Sequence, residues 1–200
     1  MSDDPVARVE RARSARSSGE SAAIYREWAA TYDDDVFGTL GFTGSLRIAD
    51  LLAAHVEDRE QAVLDIGCGT GAVGERLRQH GFGAVDGLDI SSEMLAVAAG
   101  KGCYRHLDVV DLTDAEQLPR SGYGASVSAG TFTSGHVGAE HLGPILEALR
   151  PGAVVAWVVA QSVWDSFEQA ITGFEIVSAE LEPVRAGGAP ESVMLVARRR

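Results

Sequence analysis

The chain has little cysteine, a single lysine and no long apolar run. Its two cysteines, Cys68 and Cys103, do not form a close pair, so the sequence predicts neither a disulfide framework nor a zinc site. The longest apolar run, AVVAWVVA at 153–160, is far shorter than the about 20 residues that cross a bilayer. The amino terminus lacks the apolar core of a secretory signal. These absences predict a cytoplasmic protein without a membrane segment.

Basic residues are also scarce, with 17 against 29 acidic residues and a formal net charge of −12. This charge repels nucleic-acid phosphates and anionic membranes, so neither is expected as a partner. At 200 residues, 46% hydrophobic and 23% charged, the chain is typical of one globular domain. Residues 1–20 contain four arginines among serines and alanines and predict a flexible extension before a single domain at 21–200.

The periodicity of apolar residues changes along the domain. Residues 21–56 predict two amino-terminal cap helices, the first starting at a Ser21 cap and carrying an aromatic face. From there to the carboxyl terminus, short apolar runs alternate with helical segments. Runs of this kind occur at 62–66, 84–90, 103–112, 123–130, 153–160, 174–184 and 192–200. This alternation is typical of an α/β fold with a mainly parallel sheet.

The most informative segment is VLDIGCGTGA, at 63–72. Gly67, Gly69 and Gly71 follow a predicted strand and open a predicted helix, which is the setting in which backbone amides approach a nucleotide-type ligand. The turn also fits the dinucleotide fingerprint. Asp65, however, places a carboxylate beside the expected pyrophosphate, where two charges ~4 Å apart would repel by about 4 kcal/mol at an effective dielectric of 20. A cationic ligand such as S-adenosylmethionine fits better, although Asp65 as a solvated or capping residue remains an alternative.

Acidic residues also follow the next two predicted strands. Asp89 lies 22 residues beyond Gly67, where a carboxylate can accept from the ribose hydroxyls, or alternatively cap the following helix. Ile90 and Met94 are candidates to flank the adenine, with core packing equally open for Met94. For the purine edge we choose the Asp111 carboxylate and the Leu112 amide, with Asp108 in reserve and a solvated loop acid as the alternative.

Together, VLDIGCGTG, GLDIS, DLTDAEQLP and LRPGA resemble the motifs of the class I S-adenosylmethionine-dependent methyltransferases. The stretch YREWAATYDDDV is similar to the amino-terminal segment of small-molecule enzymes such as the Williams-Beuren region methyltransferase group. The resemblance implies a Rossmann-like seven-stranded mostly parallel sheet, in the order 3-2-1-4-5-7-6 with strand 7 antiparallel and helices on both faces.

The same resemblance implies roles for particular residues. Asp65, Gly67, Gly69 and Gly71 would hold the methionine portion of the cofactor, bordered by Gly130. Asp89 would bind the ribose, and Asp111 with Leu112 the adenine. Tyr25 and Tyr32 would cover the cofactor, with aromatic core packing as an even alternative.

The methyl acceptor is less defined. Because 161–173 offers only a short helix, recognition must rely on the amino-terminal helices, the loop at 131–137, residues near 161–164, or a second subunit in a homodimer. His136 in that loop is the candidate general base, and no metal is expected. The prediction is a methyltransferase acting on a small-molecule substrate. The alternatives are a regulatory module that binds the cofactor without catalysis and, less favoured, a nicotinamide-dependent oxidoreductase.

Overall fold

A seven-stranded sheet forms the centre of the molecule. The structure, a computed structural model, describes residues 4–120 and 122–200. The strand order is β3-β2-β1-β4-β5-β7-β6. The strands are β1 (Val63–Ile66), β2 (Val85–Asp89), β3 (His106–Val109), β4 (Tyr123–Phe132), β5 (Leu149–Ala160), β6 (Phe174–Glu182) and β7 (Ser192–Arg199). β7 runs antiparallel to both of its neighbours and the other pairs are parallel, so the predicted fold is confirmed.

Helices cover both faces of this sheet. They are α1 (Pro5–Arg13), α2 (Ser18–Trp28), α3 (Gly44–His55), α4 (Ala72–Gln79), α5 (Ser92–Gly100), α6 (Leu142–Glu147) and α7 (Trp164–Ala170), with a π-helix at Asp34–Thr39. In β5, Val155, Trp157 and Val159 pack with α6 and α7, and the alternate side chains pack with α3 and α4. Both faces of β5 are therefore buried, as its continuous apolar run predicts.

The amino-terminal segment differs from the flexible extension predicted over residues 1–20. Residues 1–3 lie outside the described part, but Pro5–Arg13 forms α1, with Asp4 accepting from the Val6 amide at 3.1 Å and proline in the first turn. Ala12 and Ala15 are buried in a cluster with Ile24, Trp28 and Val36. Small apolar side chains can therefore order a mostly polar segment when they pack against an aromatic surface, which α2 provides here.

The predicted cap helices at 21–56 correspond to α2, the π-helix and α3. The cap of α2 is Ser17, whose hydroxyl accepts from the Glu20 amide, rather than Ser21. Among residues 4–120 and 122–200, no helix combines the length and the apolarity required to span a bilayer.

Candidate active site

The loop between β1 and α4 depends on its glycines. Gly67, Gly69 and Gly71 have φ angles of +66°, +54° and +87°, in the left-handed region that favours glycine. A Cβ on Gly67 would collide with the Thr131 hydroxyl, which donates to the Ile66 carbonyl at 3.0 Å. The loop backbone therefore lies directly against the end of β4. No side chain at Gly67 blocks access to the loop amides.

A cavity opens between this glycine loop and the ends of β2, β3 and β4. We call it the glycine-loop cavity. Its charged lining residues are the two carboxylates Asp89 and Asp111, and neither lysine nor arginine lines it. The lining residues are Ser18, Ser21, Tyr25, Tyr32, Gly67, Gly69, Asp89, Ile90, Met94, Asp111, Leu112, Thr113, Ala129, Gly130, Thr131, Gly135, His136 and Val137. This lining includes every predicted site residue except Asp65 and Gly71.

Asp89, the last residue of β2, joins the glycine loop to the start of α5. Its Oδ2 accepts from the Gly69 amide at 2.8 Å and its Oδ1 from the Ser91 amide at 2.9 Å. Burial raises the pKa of Asp89, and these backbone hydrogen bonds act in the opposite direction. Ser91, not Asp89, caps α5, since its hydroxyl accepts from the Met94 amide. The carboxylate thus lies at the cavity wall, beside the glycine loop.

Asp65, which the sequence predicted to contact a cationic ligand, does not line this cavity. Its side chain is fully buried, and Oδ2 accepts a hydrogen bond from the Tyr104 hydroxyl at 2.6 Å. Oδ1 has no hydrogen-bond partner among the described residues. Burial raises the pKa of Asp65 to about 7, against the smaller opposing effect of the Tyr104 hydrogen bond. Asp65 therefore lies outside the cavity lining, and the carboxylates that line the cavity are those of Asp89 and Asp111.

Tyr104 was not identified from the sequence, and its side chain packs beside Gly71 and Gly74. The Tyr104 hydroxyl also accepts from the Gly74 amide in the first turn of α4. A Cβ on Gly71 would approach the Tyr104 ring to 3.0 Å, and one on Gly74 would collide with it. The ring therefore fills the space left by these two glycines. Gly74, one turn beyond the motif, was the available sequence signal.

Asp111 and Leu112, the residues predicted to bind the adenine, follow β3 and line the glycine-loop cavity. Asp111 Oδ1 accepts from the Thr113 amide at 2.9 Å and from its hydroxyl at 2.7 Å. Burial raises the pKa of Asp111, but hydrogen bonds from Thr113 and Ser18 outweigh it and lower the pKa overall. The carboxylate therefore stays ionised at neutral pH. The Leu112 side chain is buried beside it.

Tyr25 and Tyr32 close the cavity from the amino-terminal side. The Tyr25 hydroxyl and His136 Nε2 lie 2.9 Å apart. The Tyr25 and Trp28 rings are nearly parallel, with their centroids 6.3 Å apart. Burial raises the pKa of both tyrosines, so both phenols are neutral at pH 7. Burial also lowers the pKa of His136 below its usual 6.5, which favours the neutral imidazole. This end of the cavity therefore presents neutral hydrogen-bonding groups.

A second cavity of about 480 Å³ adjoins the first, and we call it the aromatic cavity. Tyr25, Tyr32, Ala129, Gly130 and His136 line both cavities and form the junction between them. The aromatic cavity is also lined by Thr133, Ser134, Gln161 and Ser162, which belong to two of the segments that the sequence offered for acceptor recognition. Its remaining lining residues are Val9, Ala12, Arg13, Trp28, Val36, Phe42, Gly44, Ser45, Phe132, Val158, Ala160, Val184, Pro190, Glu191 and Ser192.

Several of these residues lie far apart along the chain, which is why the sequence argument did not find Arg13, Phe42 or Glu191. Within residues 4–120 and 122–200, no group of three histidine, cysteine or acidic side chains is arranged to hold a metal ion.

Comparison with known proteins gives consistent results. A family described as a methyltransferase domain matches residues 63–152. Methyltransferase-like protein 27 of Homo sapiens is 32% identical over 152 residues, and the match covers 74% of this chain but only 61% of the human protein. The TehB-like SAM-dependent methyltransferase from Corynebacterium glutamicum aligns with a TM-score of 0.64 at 20% identity, covering 89% of this chain and 99% of that one. The DhpI-SAH complex aligns with a TM-score of 0.63 at 21% identity, covering 89% and 94%.

Proposed function

We propose that this chain is a class I S-adenosylmethionine-dependent methyltransferase and that it transfers a methyl group from S-adenosylmethionine to a small-molecule acceptor. The glycine-loop cavity would hold the cofactor, and the aromatic cavity the acceptor. The junction formed by Tyr25, Tyr32 and His136 would then be the place where the methyl group passes between them.

The charge of the glycine-loop cavity is the observation that carries this proposal. It is lined by Asp89 and Asp111, and no lysine or arginine among the described residues lines it, so no cationic side chain there would pair with a pyrophosphate. S-adenosylmethionine carries an ammonium and a sulfonium and no phosphate, so the same carboxylates attract it. This lining favours a methyl donor over the nicotinamide dinucleotide that the glycine pattern also allows.

The residues present fit the parts of this cofactor. The open backbone at Gly67 and Gly69 would receive the methionine portion, with Gly130 bordering it, and Asp89 would accept from the ribose hydroxyls. Ile90, Met94 and Leu112 provide apolar surface for the adenine, and Asp111 an acceptor for its amino group. When bound, the cofactor supplies a methyl group already activated on its sulfonium sulfur.

The protein's contribution to the reaction would be positioning, exclusion of water and proton removal. For a hydroxyl acceptor, His136 is the proposed base, because its lowered pKa keeps the imidazole neutral at pH 7 and it lines both cavities. His136 would accept the hydroxyl proton of an acceptor whose oxygen receives the methyl group supplied by the cofactor, with S-adenosylhomocysteine as the other product. The neutral Tyr25 hydroxyl, 2.9 Å from Nε2, would orient the imidazole.

Two features support a small molecule as the acceptor. The volume of the aromatic cavity, about 480 Å³, lies within the range of roughly 300–1,000 Å³ found for small-ligand sites. The net charge of −12 disfavours a nucleic-acid substrate.

Methyl transfer from isotopically labelled cofactor into a cell extract tests the proposal. We expect label in the small-molecule fraction and a large loss of label with Asp89→Ala. Label confined to protein or nucleic acid would refute the small-molecule assignment, and no transfer despite tight cofactor binding would indicate a regulatory module.

Once a labelled hydroxyl product is identified, the pH profile of its formation tests His136. The transfer rate should fall as pH drops through a pKa below 6.5, since the protonated imidazole cannot accept a proton. His136→Gln should remove that inflection. An unchanged profile in the variant would exclude His136 as the base.

A further inference from the structure

The aromatic cavity has few charged groups on an otherwise strongly acidic protein. Among the described residues, its lining contains one arginine, Arg13 at the end of α1, and one carboxylate, Glu191 just before β7. Neither lines the glycine-loop cavity, so both lie on the acceptor side of the junction. Most of the remaining wall is apolar, with the rings of Trp28 and Phe42 among it. The cavity therefore combines an apolar interior with one charged region.

Glu191 has two guanidinium neighbours, Arg13 in the cavity lining and Arg185 outside it. Arg13 Nη2 lies 3.6 Å from Glu191 Oε2, and Arg185 Nε lies 3.8 Å from Glu191 Oε1. Both distances exceed the roughly 2.7–2.9 Å of a charge-assisted hydrogen bond. One carboxylate is thus loosely shared by two guanidinium groups. A guanidinium has five N–H donors, so Arg13 retains donors and positive charge for a ligand beside its contact with Glu191.

Arg13 is held close to the reacting end of the cavity. The carbonyl oxygens of Arg13 and Ala15 would both lie 2.7 Å from a Cβ on Gly135, so the end of α1 packs against the loop that carries His136. Burial is the largest influence on the pKa values of Tyr25 and His136, and the charge of Arg13 lowers both. Arg13 is therefore near enough to act on any molecule that reaches this pair.

We propose that the acceptor is an amphipathic organic anion, whose apolar body packs among the aromatic residues of the aromatic cavity and whose anionic group pairs with Arg13. The inference rests on the proposed function, because it describes the acceptor of the same reaction. Arg13 would be a specificity-determining residue: it touches the acceptor's charge and takes no part in the bond changes.

Three small probes with the same phenylpropyl body and different charge test this. Binding of 3-phenylpropanoate, 3-phenylpropanol and 3-phenylpropylamine is measured by calorimetry on the full chain with S-adenosylhomocysteine at low ionic strength, where screening is weak. The carboxylate should bind about tenfold more tightly than the alcohol, the scale expected for a charge-assisted contact, and the amine most weakly.

Variants then assign the preference to one residue. Arg13→Gln should remove the preference for carboxylate over alcohol while leaving alcohol affinity unchanged, and Arg13→Lys should restore part of it. Arg11→Gln is the matched control, because Arg11 lies on the same helix and pairs instead with Glu27, at 2.9 Å. The control should retain the full preference.

The outcomes separate this inference from the proposed function. Equal binding of the three probes, a preference for the amine, an unchanged preference in Arg13→Gln, or no probe binding while S-adenosylhomocysteine binds would each overturn the inference and leave the methyltransferase proposal standing. Failure of the wild type to bind S-adenosylhomocysteine would instead overturn the proposed function.

Discussion

Replacing Asp65 by asparagine should remove a pH dependence from the stability of the fold. The folded-state pKa of about 7 lies above the ordinary value of 3.8, because the side chain is fully buried. Between these two values the folded protein holds a proton that the unfolded chain has released. Stability from this group is therefore greatest at low pH and is lost as pH rises through 7.

The magnitude follows from the two pKa values. At about 1.4 kcal/mol per pKa unit, the full difference corresponds to about 4 kcal/mol, of which about 2 to 3 kcal/mol falls between pH 5 and pH 8. Other groups titrate in this interval, so the informative quantity is the difference between wild type and Asp65→Asn. That difference should favour the wild type progressively less as pH rises.

Urea unfolding at pH 5, 6, 7 and 8 measures this difference. Asp165→Asn, which changes an exposed carboxylate on α7, is the control and should parallel the wild type. If Asp65→Asn does not fold, Tyr104→Phe provides a second test: it removes a hydrogen bond that lowers the pKa of Asp65, so the decline should extend to higher pH. Parallel profiles for wild type and Asp65→Asn would refute the reasoning.

Two other perturbations address packing around the site. Gly74→Ala should destabilise the fold by about 1 to 3 kcal/mol because its Cβ would collide with the Tyr104 ring, whereas Gly19→Ala, in α2 with open space around it, should stabilise by about 0.5 to 1 kcal/mol. Equal effects in urea unfolding would contradict this packing. Lys101→Gln should accelerate amide hydrogen exchange over residues 29–40, since Lys101 Nζ lies 2.8 Å from Asp33 Oδ2, while exchange in the exposed control Arg78→Gln should stay unchanged. Unchanged exchange in Lys101→Gln would show that this ion pair does not hold the cap segment.

The strands and the glycine loop were predictable because local pattern determines them. Continuous β-branched runs such as 153–160 need no information from elsewhere to form buried strands, and left-handed turns favour glycine wherever they occur. Asp89 was placed in the cavity lining by its spacing from the glycine loop. The strand order was inferred from the family resemblance, and the structure confirms that order.

The surroundings of other residues depend on tertiary packing. The contact between Asp65 and Tyr104 requires the space left by Gly71 and Gly74, so it involves three separate segments of the chain. Helix α1 is ordered by burial of Ala12 and Ala15 in the cluster around Trp28, which helix propensity alone does not reveal. Arg13 and Glu191 come from opposite ends of the chain, so only the folded topology brings them to one cavity.

Calorimetric titration of S-adenosylmethionine and NAD⁺ into the wild type and Asp89→Ala shows which of the two molecules the glycine-loop cavity binds. We expect the wild type to bind S-adenosylmethionine and not NAD⁺, and Asp89→Ala to lose about 1 to 3 kcal/mol of binding free energy, the scale for unpaired buried polar groups. Comparable binding of NAD⁺ by the wild type, or unchanged affinity for S-adenosylmethionine in Asp89→Ala, would contradict this expectation.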